Sequence, residues 1–414
     1  TGPSSVVRGP LASPTAVLST PKHFIGDGAT VWGTSRMEML GVRFAIDQGD
    51  VVEDEAALRE KYLPPYVAAL EAGALCVMVS FSSWQGVKMH GHHYLLTDVL
   101  KGELGFRGFI VSDWMAIDQL DPDYDTAVVA AINAGLDMIM VPYDYPRFIA
   151  TLTAAVERGD VSGARIDDAV ARILRVKFAL GLFDEPFADP ALLAAVGCAE
   201  HRKLGREAAA RSAVLLRNEG GALPVRGPGL LFVAGEAADD IGLQCGGWTI
   251  KWQGVTGRAA TDGTTLLEGL QQTCHPGTRL EFNRSGNFDH VTDATGAPLT
   301  ADLGIAVIHE DPYAEGLGDR DDLCLSAGQA ALIERVRTRS RRVAVVLLTG
   351  RPLIITEHLE RADAWVAAWW PGTEGAGLGD VIFGRRRFSG RLPLNWPRAM
   401  ARLPLRSLED DPRG

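Results

Sequence analysis

With 414 residues, 46% of them hydrophobic and 22% charged, the chain is too long for one compact core and suits two, which sets it apart from disordered proteins. No run approaches the roughly 18 apolar residues of a membrane-spanning helix, so no span is expected. A net charge of −11 speaks against a nucleic-acid groove and for a neutral partner.

In chain order, a short apolar segment at Val17 to Thr20 runs into Pro21-Lys22-His23-Phe24. A helix is expected over 53–72, opening in acidic residues and closing at Gly73. A buried strand over 75–81 follows, then a helix near 94–103 and a strand over 108–113. The helix 126–134 precedes a strand over 137–141, and helices near 146–158 and 164–180 close the region. Uninterrupted apolar strands alternating with helices imply a parallel sheet covered on both faces. About four strands are read here, against the eight of a complete (β/α)8 barrel.

The Pro- and Ala-rich residues 185–205 read as a linker. Beyond it, over 206–400, a second α/β pattern has strands at 213–218, 230–234, 303–308, 343–348 and 365–369, and helices near 201–212, 264–273, 326–338 and 374–383. Residues 401–414 read as a tail. Five cysteines without a C-x-x-C pair exclude a zinc spacing and a complete disulfide framework. The opening Thr1-Gly2-Pro3-Ser4-Ser5 is not a signal peptide; the compartment stays open, export included.

Polar residues at the carboxyl ends of buried strands are where chemistry is sought in a parallel α/β domain. Three such ends carry Lys22-His23, Phe81-Ser82-Ser83-Trp84 and Ser112-Asp113-Trp114. An Asp after four apolar strand residues is desolvated, paired, used in catalysis or spent capping the next helix.

The run VMVSFSSWQGVKMHGHHYLLTDVLKGELGFRGFIVSDW resembles glycoside hydrolase family 3, the β-glucosidase and glucan exohydrolase family. So do PKHFIGDG (21–28), IDDAVARILRVKFALGLFDEP (166–186), QCGGWTIKWQG (244–254), EDPYAEGLGDR (310–320) and PGTEGAGLGDVIFG (371–384), in the family's order. The resemblance implies an α/β chain: the C-terminal part of a (β/α)8 TIM-type barrel over 1–184, followed by a parallel α/β sandwich domain. It implies a retaining exo-acting β-glucosidase or β-glucan exohydrolase acting on β-glucosides and β-gluco-oligosaccharides, without cofactor or metal.

Asp113 corresponds to the family nucleophile. Retention requires a second carboxyl about 5–5.5 Å from the nucleophile, protonated beside the leaving oxygen. Glu315 corresponds to that acid/base, with Glu310 as runner-up; its loop, rich in Pro and Gly, is suited to reaching across a cleft. Lys22 and His23 resemble the pair that grips the innermost sugar, and Trp114 and Trp248 the aromatic plates that clamp the next one. The run His90-Gly91-His92-His93 lacks an accompanying carboxylate or Cys set and is not read as a metal site.

Some departures stand out. Phe81 takes the place of a Tyr common in plant relatives, Gln119 that of an Arg, and residues 34–45 read as an insertion. Only 21 residues precede Lys22, where the family has half a barrel; the expectation is a fragment with little activity unless completed. The alternative reading is a truncated carbohydrate-binding remnant, non-catalytic or weakly active. The β-N-acetylhexosaminidase branch is disfavoured because the loop after Lys22-His23 lacks its second histidine, and a phosphate loop because residues 372–379 lack Lys-Ser/Thr.

Overall fold

The computed structural model describes residues 13 and 15–405; residues 406–414 of the expected tail lie outside them. The chain divides into two compact units, Thr1–Leu193 and Ala194–Gly414.

In the first unit, strand β1 (Cys76–Met78) pairs in parallel with β2 (Phe109–Val111). Isolated parallel bridges extend the row on both sides, Phe24 to Val79 and Val111 to Met138. The row therefore runs in chain order, with helical segments between successive members. The segment expected as a strand over 17–20 is not one; the chain joins the row only at Phe24. Residues 137–141 form no regular strand either. The N–H groups of Asp137 and Met138 both converge on Ile110 O, and the Asp137 carboxylate accepts from Ile110 N–H at 2.8 Å. That carboxylate also meets Lys101 Nζ at 2.7 Å, so a buried ion cluster takes the place of ladder bonds.

The helix expected over 53–72 is two, α1 (Glu55–Tyr62) and α2 (Pro64–Glu71). Asp54 caps the first by accepting from Ala57 N–H, and Pro64, lacking an N–H, begins a new helix instead of continuing the old one. Residues 94–103 form a π-helix. Helix α3 (Tyr124–Ala134) starts at an Asp123 cap and stops at Gly135, whose φ of 118° a side chain would resist. Helices α4 (Tyr145–Arg158) and α5 (Gly163–Ala179) follow. Phe24, Val77, Val79, Leu96, Leu100, Ile110 and Val128 form the core between strands and helices, which leaves the strand ends free to carry polar groups. The expected insertion contains a small antiparallel hairpin, Glu38–Met39 with Val42–Arg43, turning at Leu40-Gly41.

After helix α6 (Ala199–Ser212), the second unit forms one six-stranded sheet. Its strands are β3 (Val214–Asn218), β4 (Leu230–Ala234), β5 (Arg279–Asn283), β6 (Leu303–His309), β7 (Val343–Leu348) and β8 (Ala364–Ala367), in the spatial order β5-β4-β6-β7-β8-β3. Five are parallel, but β3 runs antiparallel to β8, which corrects the all-parallel expectation. Strand β5 was not foreseen. Its Arg279 and Glu281 alternate with Leu280 and Phe282 because, at the sheet edge, only one face is covered. The central strands bury both faces: Ile305 and Val307 face the cluster of α6, α7 (Leu266–Thr273) and α9 (Ala376–Ile382), whereas Ala306 and Ile308 face α8 (Ala327–Thr338). The loops after β4 and β6 leave the carboxyl ends of these strands.

Candidate active site

In the first unit the strand-end groups converge. Val79 N–H donates to Val111 O and Ser112 N–H to Met138 O, so residues just past the apolar segments share one rim. Asp113 stands there with its side chain 19% exposed and its Oδ2 3.5 Å from His23 Nε2. The other ring nitrogen, His23 Nδ1, lies 2.5 Å from Asp27 Oδ2. Ser80 Oγ in turn donates to Asp27 Oδ1. Burial by itself would lower the His23 pKa. The Asp27 hydrogen bond and charge, with the charge of Asp113, outweigh that and the opposing Lys22 charge, so the imidazole is held above its ordinary value. A cation at 3.5 Å from a carboxylate would be worth about 5 kcal/mol at an effective dielectric near 20, before solvent screening reduces it.

Two further contacts fix Asp113. Its backbone N–H donates to His90 Nε2 at 2.9 Å, and its own Oδ1 accepts from Trp114 N–H at 2.6 Å. His90 is 1% exposed; burial first, then the Lys88 charge, push its pKa down to about 3, so it is a neutral acceptor. Lys88 donates to Phe81 O at 2.9 Å, fixing the backbone at the position where the hydroxyl of a Tyr was missed.

The His-rich run is thus divided among separate tasks: His90 under Asp113, His92 tilted against the Trp84 ring at 5.3 Å, His93 beside Asp98. Sequence reasoning assigned His90 no role beyond setting aside a metal site. Its apolar neighbour Met89 was the only local sign that this position is buried.

Lys22 is exposed and lines a cleft of about 350 Å³ with His23, Asp27, Lys61, Tyr62 and Tyr66. Trp114 is half exposed and meets Tyr143 edge-on at 6.1 Å, a platform partner that was not foreseen. The next residue, Met115, has φ 54°, a left-handed conformation that turns the chain away after Trp114. Gln119 Nε2 donates to Gln48 Oε1 at 2.9 Å, tying the segment after Asp113 to the one that follows the hairpin.

In the second unit, the chain leaves β6 at His309 and places Glu310 and Glu315 in opposite situations. Glu310 is 6% exposed and accepts from Thr349 Oγ1 at 2.6 Å, from Arg320 at 3.1 Å and from Arg351, whose Nε lies 3.2 Å from its Oε1. Its oxygens hold the base of the loop. Glu315 is exposed at the loop tip with φ 55°. A left-handed glutamate costs about 1–2 kcal/mol, and such strain gathers at functional loops.

Trp248, 69% exposed with φ 61°, sits on the adjoining loop. The two loops are in contact: a Cβ on Gly247 would lie 2.0 Å from Tyr313 O, so only glycine allows this approach. Tyr313 is itself held between Arg351, 4.0 Å above its ring, and Trp370 at 5.0 Å. His23 and Asp113 are therefore brought together in one unit, and Trp248 and Glu315 are carried on touching loops in the other.

Residues 5–176 match the glycosyl hydrolase family 3 N terminal domain, and residues 213–413 the glycosyl hydrolase family 3 C-terminal domain. The chain is 30% identical to a periplasmic beta-glucosidase of Salmonella typhimurium, over 94% of this chain and 53% of that protein. It is similar in structure to an exo-1,3/1,4-beta-glucanase from a Pseudoalteromonas species, with TM-score 0.82 and 37% identity over 92% of this chain and 47% of that one. A beta-glucosidase from Listeria innocua in complex with glucose matches with TM-score 0.82 and 26% identity, over 98% and 55% of the respective chains. The chain spans about half the length of the curated relatives it matches.

Proposed function

The chain belongs to glycosyl hydrolase family 3, and from that premise we propose that it supplies the catalytic groups of a retaining, exo-acting β-glucosidase or β-glucan exohydrolase. Terminal β-D-glucosyl residues of β-glucosides and β-gluco-oligosaccharides are its substrates. In this reading the parallel row of the first unit is the C-terminal part of a (β/α)8-type barrel, and export is in keeping with a periplasmic relative.

Asp113 attacks the anomeric carbon while Glu315 transfers its proton to the departing glycosidic oxygen, which keeps the bonding electron pair. A glycosyl ester on Asp113 results. Glu315, now a carboxylate, takes a proton from water; the water oxygen bonds to the anomeric carbon and the ester bond returns its electrons to Asp113. Lys22 and His23 hold hydroxyls of the reacting sugar, and the Trp114 and Trp248 indoles cover the apolar faces of the next. The observation that carries this reading is the setting of Asp113: a carboxylate at a buried strand end, its N–H anchored on neutral His90 and its Oδ2 3.5 Å from the His23 ring, whose pKa is raised.

Incubation with an activated 2-deoxy-2-fluoro-β-glucoside tests it. A stable glycosyl adduct is expected on the peptide containing Asp113, absent from Asp113→Asn. Glucose binding without any adduct would instead leave the chain a carbohydrate-binding protein.

A further inference from the structure

One side chain joins the loop bearing Trp248 to the loop bearing Glu315. Gln253 Nε2 donates to Ala314 O at 2.9 Å, and Ala314 N–H donates to Gln253 Oε1 at 3.0 Å. Both ends of the amide thus bond the residue before Glu315. Its donor grips the carbonyl of the Ala314–Glu315 peptide itself.

The placement matters because Glu315 sits at φ 55°. A glutamate leaves the left-handed region most directly by a flip of the preceding peptide plane, and that flip would swing Ala314 O away from Gln253. The clasp therefore opposes the one backbone motion that relaxes the strained residue. The Gln253 side is itself firmly set. Trp248 N–H donates to Trp252 O at 2.9 Å, closing the turn between Trp248 and Gln253. A Cβ on Gly254 would lie 2.6 Å from both Gly246 O and Pro312 Cβ, so the loops touch on that side too. Ala314 is 5% exposed, so the clasp is shielded from competing water.

We propose that Gln253 is the positioning residue of the acid/base: by holding the Ala314–Glu315 peptide it keeps the Glu315 carboxyl in register with the Trp248 platform. The proposal rests on the reading of Glu315 as acid/base. Gln253 touches no reacting atom. Its effect is confined to steps in which Glu315 gives or takes a proton.

The test uses the full chain with Gln253→Met, which has similar length but no amide, Gln253→Glu, which still accepts but cannot donate when ionised, and Glu315→Ala as reference. Substrates are a phenyl β-glucoside, whose departure needs a proton, and the 2,4-dinitrophenyl β-glucoside, whose departure does not. For Gln253→Met, kcat/KM on the phenyl substrate falls about 10-fold or more, whereas the dinitrophenyl value changes less than about 2-fold and azide restores lost kcat. Gln253→Glu falls between wild type and Gln253→Met. Hydrogen exchange followed by mass spectrometry reports the clasp without any turnover: the Ala314 amide exchanges faster in Gln253→Met while the peptides of β6 and β7 keep their protection. Equal loss on both substrates, or unchanged exchange at Ala314, overturns the positioning role. If Glu315→Ala shows neither leaving-group dependence nor azide rescue, the acid/base assignment itself fails, a result separate from whether the clasp exists.

Discussion

The rim of the first unit and the loop tip of the second hold their carboxylates by different physical means. Asp113 is fixed from within by groups in direct contact, a neutral buried histidine on its backbone and His23, held above its ordinary pKa, near its oxygen. The loop that carries Glu315 is held at two points: the hydrogen bonds and ion pairs of Glu310 secure its foot, and a side-chain amide secures the peptide before Glu315. The first arrangement fixes the backbone and the side chain of one residue together. The second fixes the backbone on either side of an exposed residue.

Replacing the Asp113 carboxylate should have the largest effect. Asp113→Asn is expected to lower aryl β-glucoside hydrolysis by roughly 10⁴-fold or more, since a neutral amide cannot form the glycosyl ester. Residual hydrolysis close to wild type would end the contrast.

Acid should act on the first unit through His90. Its folded pKa of about 3 lies below the ordinary value near 6.5, so the native state prefers the neutral ring. That contribution is present above pH about 6.5 and is lost as pH falls toward 3, in total on the order of 5 kcal/mol. Denaturant melts over that window check it, and His90→Asn should flatten the dependence.

Loss of the loop foot in the second unit comes next. Glu310→Gln leaves Arg320 and Arg351 without their buried counter-charge, and about 3 kcal/mol of stability should go with it, read as a lower midpoint of urea unfolding.

Asp27→Asn sharpens the electrostatic half of the comparison. His23, held above its ordinary pKa, adds stability that is complete below pH about 6.5 and fades as pH rises through the raised value. Without the Asp27 charge and hydrogen bond its midpoint should drop, followed by NMR titration of labelled histidines. Smallest of all, Glu360→Ala removes the exposed partner of Arg217 and should shift stability by less than about 0.5 kcal/mol.

Much of the frame was legible because it is local. Apolar runs such as 230–234 and 343–348 become strands, the Asp123 cap and Gly135 bound a helix, and the ordered motifs led to Asp113, Glu315 and Trp248. Strand β5 escaped because an edge strand with one wet face has no continuous apolar signal. The antiparallel direction of β3 escaped because a strand's residues do not encode which way its neighbour runs.

By itself the sequence determined which segments bury themselves and which chemical groups stand at their ends, since periodicity, caps and side-chain chemistry are properties of neighbours along the chain. Only the tertiary structure decided what each group does there. It made His90 an acceptor under Asp113 from 23 residues away, set Asp27 behind His23, committed Glu310 to two arginines, and clasped Gln253 to a residue 61 positions on. Desolvation and hydrogen bonding act through space over a few ångströms, and no spacing rule along the chain reports which distant residues come within that reach.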